Sequence, residues 1–284
     1  LAKQTVADAV TIGVMSQPED ICLLRHDGSG KNAFKNPLSF RYLDDNFIES
    51  DAVKIGKTFM DYLKKTKDPR IHVYCSLKDG NTEFDKQFGL PNGYDSHTIA
   101  DAPSGSFVGL ENTSNFNINT ILRLDAPTIF LMPSETKLLL AEAVLRNWTN
   151  GNAEVLYKEA ITSSMKEQEI AYGTQGKITD EEIETYLAQN LFSTANNTEK
   201  LQIIGEQYWV ATFINGYESY ANWRRTGYPK LIPTNYSGSM SPGVIPTRLP
   251  YPTDEYSINR ANVDTANQQQ GADKVTTHIW WDID

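Results

Sequence analysis

Aromatic rings interleaved with amides and charges mark the stretch from Phe84 to Arg123, which carries Phe84, Phe88, Asn92, Tyr94, Asp95, His97, Phe107, Asn112, Asn115, Phe116 and Arg123. A sugar ring presents apolar C–H faces and hydroxyl edges, so rings flanked by amides, carboxylates or guanidinium groups satisfy both. On that chemistry Tyr94, Phe107 and Phe116 are the candidate stacking residues, with Asn92, Asp95 and Arg123 as their polar partners. Tyr236, in a loop rich in Pro, Gly and Ser, is the reserve position.

Catalytic and metal-binding patterns are largely missing. The chain has no HExxH and no G-x-S-x-G elbow. Gly28-Ser29-Gly30-Lys31 lacks the earlier glycine of a phosphate loop and has Asn32 where Ser or Thr belongs, so it reads as a surface turn. His26, His72, His97 and His278 show no ligand spacing, and no metal or cofactor is expected. A glycosidase needs two carboxylates across a cleft. Acidic pairs occur at Asp44-Asp45, Asp180-Glu181-Glu182 and Asp254-Glu255, but a loop position or a helix start accounts for the first two. Asp79-Gly80-Asn81-Thr82-Glu83 departs from the twelve-residue calcium loop and reads as a polar turn.

The elements that must position these residues follow from periodicity and punctuation. Residues 1–10 read as the middle of a helix, and 16–49 as turns and loops. Ser50 is expected to cap a helix carrying Val53, Phe59, Met60 and Leu63, and Ile71-His72-Val73-Tyr74-Cys75 to form a strand. Residues 78–127 read as a long loop, a length that usually marks function. From Pro133 two helices flank the turn Asn150-Gly151-Asn152, and Leu140, Ala141, Ala153, Tyr157 and Ala160 show the small-and-aromatic spacing of a tetratricopeptide helix pair over 134–168. Thr179 and Glu182 predict a capping box for a helix through Leu191. Thr198 is expected to cap one long helix running to Thr226, where Arg224 and Arg225 suit the dipole, Gly227 supplies a left-handed stop and Pro229 prevents continuation.

Composition bounds the partners. The chain has 284 residues, with 36 acidic against 26 basic side chains and a net charge of −10, so it has no global attraction for nucleic acid or anionic lipid. Its length suits one large domain or two closely packed ones. No apolar run is long enough for a membrane-spanning helix. Cys22 and Cys75 form no zinc pattern, and two buried thiols or one disulfide fit them.

Ala221-Asn222-Trp223-Arg224-Arg225-Thr226-Gly227-Tyr228-Pro229, then Arg248-Leu249-Pro250-Tyr251-Pro252-Thr253-Asp254-Glu255-Tyr256, then Trp280-Trp281-Asp282, resembles the ordered C-terminal signature of the SusD/RagB outer-membrane nutrient-binding lipoproteins. The order Asn36-Pro37-Leu38, Ser50, Leu63 and Asp68-Pro69-Arg70 resembles one branch of the same group. The resemblance implies a mainly α-helical fold of tetratricopeptide-like helix pairs (an α/α superhelix) with long irregular loops and little β structure, 1–284 forming a single SusD-like domain. It implies a non-enzymatic cell-surface protein that captures an oligosaccharide and passes it to a SusC-like TonB-dependent transporter. A signal peptide, lipid anchor and first helical repeats would lie upstream of Leu1, so the membrane would be met only through that anchor. Trp223, Tyr251, Tyr256, Trp280 and Trp281 would then be structural. Peptide capture of the RagB type, a helical glycoside hydrolase and a protein-binding scaffold are the alternatives.

Overall fold

The computed structural model describes residues 1–44, 54–94, 97–192, 196–235 and 238–282. Two compact units emerge, Leu1–Pro91 with Ala102–Lys230, and Asn92–Asp101 with Leu231–Asp284.

The first unit is helical, as expected. Its helices are α1 (Ala2–Ile12), α2 (Pro37–Asp44), α3 (Lys57–Thr66), α4 (Ile71–Tyr74), α5 (Pro133–Leu145), α6 (Ala153–Tyr172), α7 (Asp180–Gln189), α8 (Asn197–Ala211) and α9 (Gly216–Thr226). The α5–α6 pair packs as its spacing predicts, with Ala141, Ala153, Tyr157 and Ala160 all buried so that the two backbones approach closely. Asn152 caps α6 by accepting from Glu154 N and Val155 N. The ring of Tyr157 stacks on Phe192 at 4.6 Å, which brings the end of the α7 region onto the pair.

Among the described residues the β-strands form two short antiparallel ladders. β1 (Cys22–Leu24) pairs with β4 (Thr128–Leu131), and β2 (Cys75–Ser76) with β3 (Asn115–Phe116). Cys22 and Cys75 are both free thiols, the first exposed and the second buried.

Several expectations need correction. The segment from Ile71 is a single helical turn, and only Cys75 belongs to a strand. The reason is local: the Asp68 carboxylate accepts from Arg70 N at 3.0 Å, as a cap does, and sets the chain turning before its β-branched residues can extend. The predicted long helix is two. α8 ends at Ala211, and Asn215-Gly216 makes a new start in which Asn215 accepts from Glu218 N. The cap of α8 is Asn196, in a reciprocal box with Glu199, and not Thr198. The cap of α3 is Gly56. Ser50 and Val53, assigned to that helix from sequence, lie outside the described residues, as do Asp45, Asp95 and Tyr236.

Other signals are met. Thr179 and Glu182 exchange the two bonds of a capping box at α7. Gly227 closes α9 with φ 70° and ψ 15°, its N–H bonding Trp223 O at 2.7 Å. Residues 28–31 form a turn around Asp27, whose carboxylate accepts from Ser29 N and Oγ. The 79–83 segment satisfies itself likewise, Asn81 N donating to Asp79 and Glu83 N to Asn81.

The second unit contains α10 (Thr253–Ile258) and α11 (Arg260–Gln270). Its organising residue is Asp273. That carboxylate pairs with Arg248 at 2.9 Å, both side chains nearly buried, and accepts from Tyr251 N and from Tyr256 Oη at 2.7 Å. Both tyrosines of the second C-terminal motif thus act structurally, as expected, and Arg248 joins them. Trp280 does not fit that expectation, being 83% exposed.

Candidate functional site

The sequence-assigned contact residues are divided between the two units, and Asp95 lies outside the described residues. Asn92 and Tyr94 belong to the second unit, the first exposed and the second half-buried. Between them Gly93 holds φ 85°, and a Cβ there would overlap the Thr234 side chain. The 92–94 turn therefore abuts Thr234 closely. Phe107, Phe116 and Arg123 lie in the first unit. Phe107 is half-buried. Phe116, on β3, sits 5.6 Å edge-on from Tyr42 and 5.5 Å from Phe213, which in turn stacks on Phe59 at 4.3 Å. Its ring is engaged in packing. Arg123 is engaged as well: Nε and Nη2 both bond the Asp125 carboxylate, which they hold below the usual range, and Nη1 donates to Tyr172 O at the end of α6. With Arg25 and His26 it lines a polar cleft of about 410 Å³.

A larger cleft, about 710 Å³, opens between α7 and the turn joining α3 to α4. Its apolar lining is Pro69, Ile71, Phe84 and the ring of Tyr186. One wall is the exposed face of α7, where Glu181, Thr185 and Gln189 recur at helical spacing. Lys64, Lys67, His72 and Thr82 complete the rim. This volume lies within the roughly 300–1,000 Å³ of small-molecule sites.

The walls are rigidly supported. Asp68 and Arg70 form a fully buried bidentate pair, and the guanidinium reaches on to Ser164 of α6 and Gln207 of α8. Burial opposes the charge of Arg70, but Asp68 outweighs it and raises the guanidinium pKa further. Gln207 also donates to Tyr186 Oη at 2.8 Å, tying α7 to the same network. Lys64 Nζ lies 4.2 Å over the Phe88 ring and bonds Asp85 O, pinning the 84–88 turn, and its burial lowers its pKa. Sequence reasoning found Phe84 but missed the α7 wall. The signal available was three polar side chains at i, i+4 and i+8 with no partner in their own helix.

The strongest acid–base feature is buried between helices. Glu135 of α5, 5% exposed, is pushed to about 7 by burial, then by Glu218 and Glu167. Tyr208 donates to Glu218 at 2.7 Å, and Glu167 accepts from Ser134 N and Oγ. Among the described residues no three His, Cys, Asp or Glu side chains are grouped to hold a metal, and no helix is long and apolar enough to cross a membrane.

The first C-terminal motif anchors α9. Arg225 makes a bidentate bond to the buried Glu142 of α5, both contacts 2.7 Å, and a third to Asn222. Burial works against the charge of Glu142, but Arg225 and then Arg146 outweigh it and hold the carboxyl below its usual range. Asn36 of the upstream motif accepts from Ser39 N to cap α2 and donates to Ala126 O.

Comparison with known proteins extends over this whole arrangement. The family model for SusD-like proteins, described as Susd and RagB outer membrane lipoprotein, matches residues 1–282. Among solved structures, a chitin-binding protein is 28% identical with a TM-score of 0.76, over 100% of this chain and 60% of its own. A Bacteroidetes SusD-like protein is 23% identical, TM-score 0.77, with 100% and 65% covered. A chitin-binding SusD homologue from Flavobacterium johnsoniae is 23% identical, TM-score 0.72, with 97% and 57% covered. The chain thus spans about three-fifths of the length of the structures it matches. No curated protein sequence matches it.

Proposed function

The chain belongs to the SusD-like family of outer-membrane lipoproteins, and from that premise we propose that it captures a glycan at the cell surface and delivers it to a SusC-like TonB-dependent transporter. The observation that carries the reading is its similarity, along its full length and at 28% identity, to a chitin-binding protein. Composition agrees: the net charge of −10 disfavours polyanionic ligands, and 11% of residues are aromatic. The reading is of a binding protein and not a catalyst, with residues 1–284 acting as one SusD-like domain built of both units.

For the contacts, we assign Tyr94 as platform, Asn92 and Asp95 as polar partners, and Phe107 as a further ring. Phe116 and Arg123 take part less directly, since the ring packs on Phe213 and the guanidinium is held by Asp125. Loops on a rigid helical base suit recognition, because the base fixes their ends while their side chains remain free. Affinity electrophoresis against a panel of soluble glycans, with peptides as the rival ligands, tests the proposal. Retarded migration in a glycan gel is expected. Binding of peptides with no response to any glycan would move the protein to the RagB-type alternative.

A further inference from the structure

We propose that the cleft between α7 and the α3–α4 turn is a binding site for a neutral oligosaccharide, lined by none of the residues assigned as contacts above. This rests on the reading of the protein as a saccharide binder and adds a location and a charge class. Polar side chains on the surface of this protein are commonly engaged by neighbours, as in Lys57 with Asp61, Lys158 with Glu154 and Arg260 with Asp264. Around the cleft the pattern reverses. Thr82, Lys67, Glu181, Thr185 and Gln189 all border it, and their side chains have no hydrogen bond or ion pair among the described residues. They surround an apolar floor to which Phe84 contributes a half-exposed ring.

Free donors and acceptors around an apolar floor, in a concave site whose walls are held by a buried network, match a sugar's two kinds of surface. The ring takes the C–H face, while the hydroxyl and amide groups of Thr82, Thr185 and Gln189 take the edges. Water satisfies those groups in the free protein, so sugar hydroxyls replace it at little cost.

The charge class follows from the rim. Lys64, Lys67 and His72 line it together with Glu181 and Glu182. Lys64 and Glu182 are already engaged, by Asp85 O and by Thr179, leaving Lys67 and Glu181 as one free charge of each sign. A uronate or sulfated sugar that satisfied the lysine would meet the glutamate, and a free amino sugar would meet the reverse conflict. A neutral sugar hydrogen-bonds both.

The test is calorimetry of the purified chain with neutral N-acetylated chito-oligosaccharides, anionic oligogalacturonate and cationic, deacetylated chito-oligosaccharides. It is repeated on Phe84→Ala and on the double variant Thr185→Ala/Gln189→Ala. The double variant lies on an exposed helix face and substitutes the best helix former, so it keeps its melting temperature and carries the test even if Phe84→Ala folds poorly. Expected are binding of the neutral ligand alone and up to about tenfold weaker affinity in each folded variant. Unchanged affinity in the double variant, or preference for a charged ligand that these substitutions abolish, overturns the inference. Absence of any saccharide binding by the unmodified chain overturns it together with the proposed function, whereas intact binding in both variants overturns the cleft alone.

Discussion

Glu135→Gln should flatten the stability of this protein between pH 4.5 and pH 7 and make it more stable above that range. In the folded chain the Glu135 carboxyl is raised from 4.5 to about 7 by burial, with Glu218 and Glu167 adding repulsion. Oε1 has no hydrogen-bond partner, and Tyr208 reaches Oε2 only at 3.4 Å, so little rewards the ionised form. Below pH 4.5 folded and unfolded chains both hold the proton and the group is silent. Between 4.5 and about 7 only the folded chain holds it, so stability falls as pH rises, and above 7 the whole loss is present. At 1.36 kcal/mol per pH unit, the rise corresponds to roughly 3 kcal/mol, a sizeable part of a typical 5–15 kcal/mol total. Glutamine keeps the shape, cannot ionise and removes one of three neighbouring carboxylates. Urea unfolding at pH 5 and pH 8 reads the difference directly. The variant and the parent should be nearly equal at pH 5, with the variant ahead by roughly 2–3 kcal/mol at pH 8. A gap that does not change with pH, or a variant that is weaker at pH 8, would refute the reasoning.

Further outcomes follow from the same contacts. Gly227→Val should lower stability by roughly 1–2 kcal/mol, because a β-branched residue is strained at φ 70° although space is available, and an unchanged urea midpoint would contradict it. Arg225→Ala should cost roughly 1–3 kcal/mol by leaving the buried Glu142 with Arg146 alone, and Arg225→Lys should recover little of it, since one ammonium cannot replace a two-pronged contact. Tyr94→Ala should weaken glycan binding by roughly 1–3 kcal/mol with the melting temperature nearly constant, while Phe116→Ala should lower the melting temperature first, because its ring packs on Phe213 and Tyr42. Differential scanning fluorimetry beside calorimetry separates the two.

What the sequence made legible was local. The α5–α6 pair, the Thr179–Glu182 box and the Gly227 stop each depend on residues within a few positions, and the structure shows all three. Asn215-Gly216 was equally local and marks the break between α8 and α9, but apolar residues continuing at helical spacing across it masked the signal. The β-branched character of 71–75 gave way to a tertiary demand, the buried Asp68–Arg70 pair that fixes the chain's turn. The remaining features join residues far apart in the chain. Asp273 organises Arg248, Tyr251 and Tyr256 from beyond α11, and the cleft beside α7 sets residues 64–84 against 181–189. No periodicity encodes such a juxtaposition, which is why Phe84 was recognised by type and the wall facing it was not. Phe116 and Arg123 show the same limit: residue type identifies what can touch a sugar, and packing decides which of them is free to do so.

The central claim is that the protein holds a glycan and leaves it intact. Isothermal titration with chito-oligosaccharides, followed by chromatographic analysis of the ligand recovered from the cell after prolonged incubation, tests both halves in one sample. Saturable heat with a single recovered species of unchanged length is the predicted result. Shortened sugars in the recovered ligand, or no heat with any oligosaccharide tried, would contradict it.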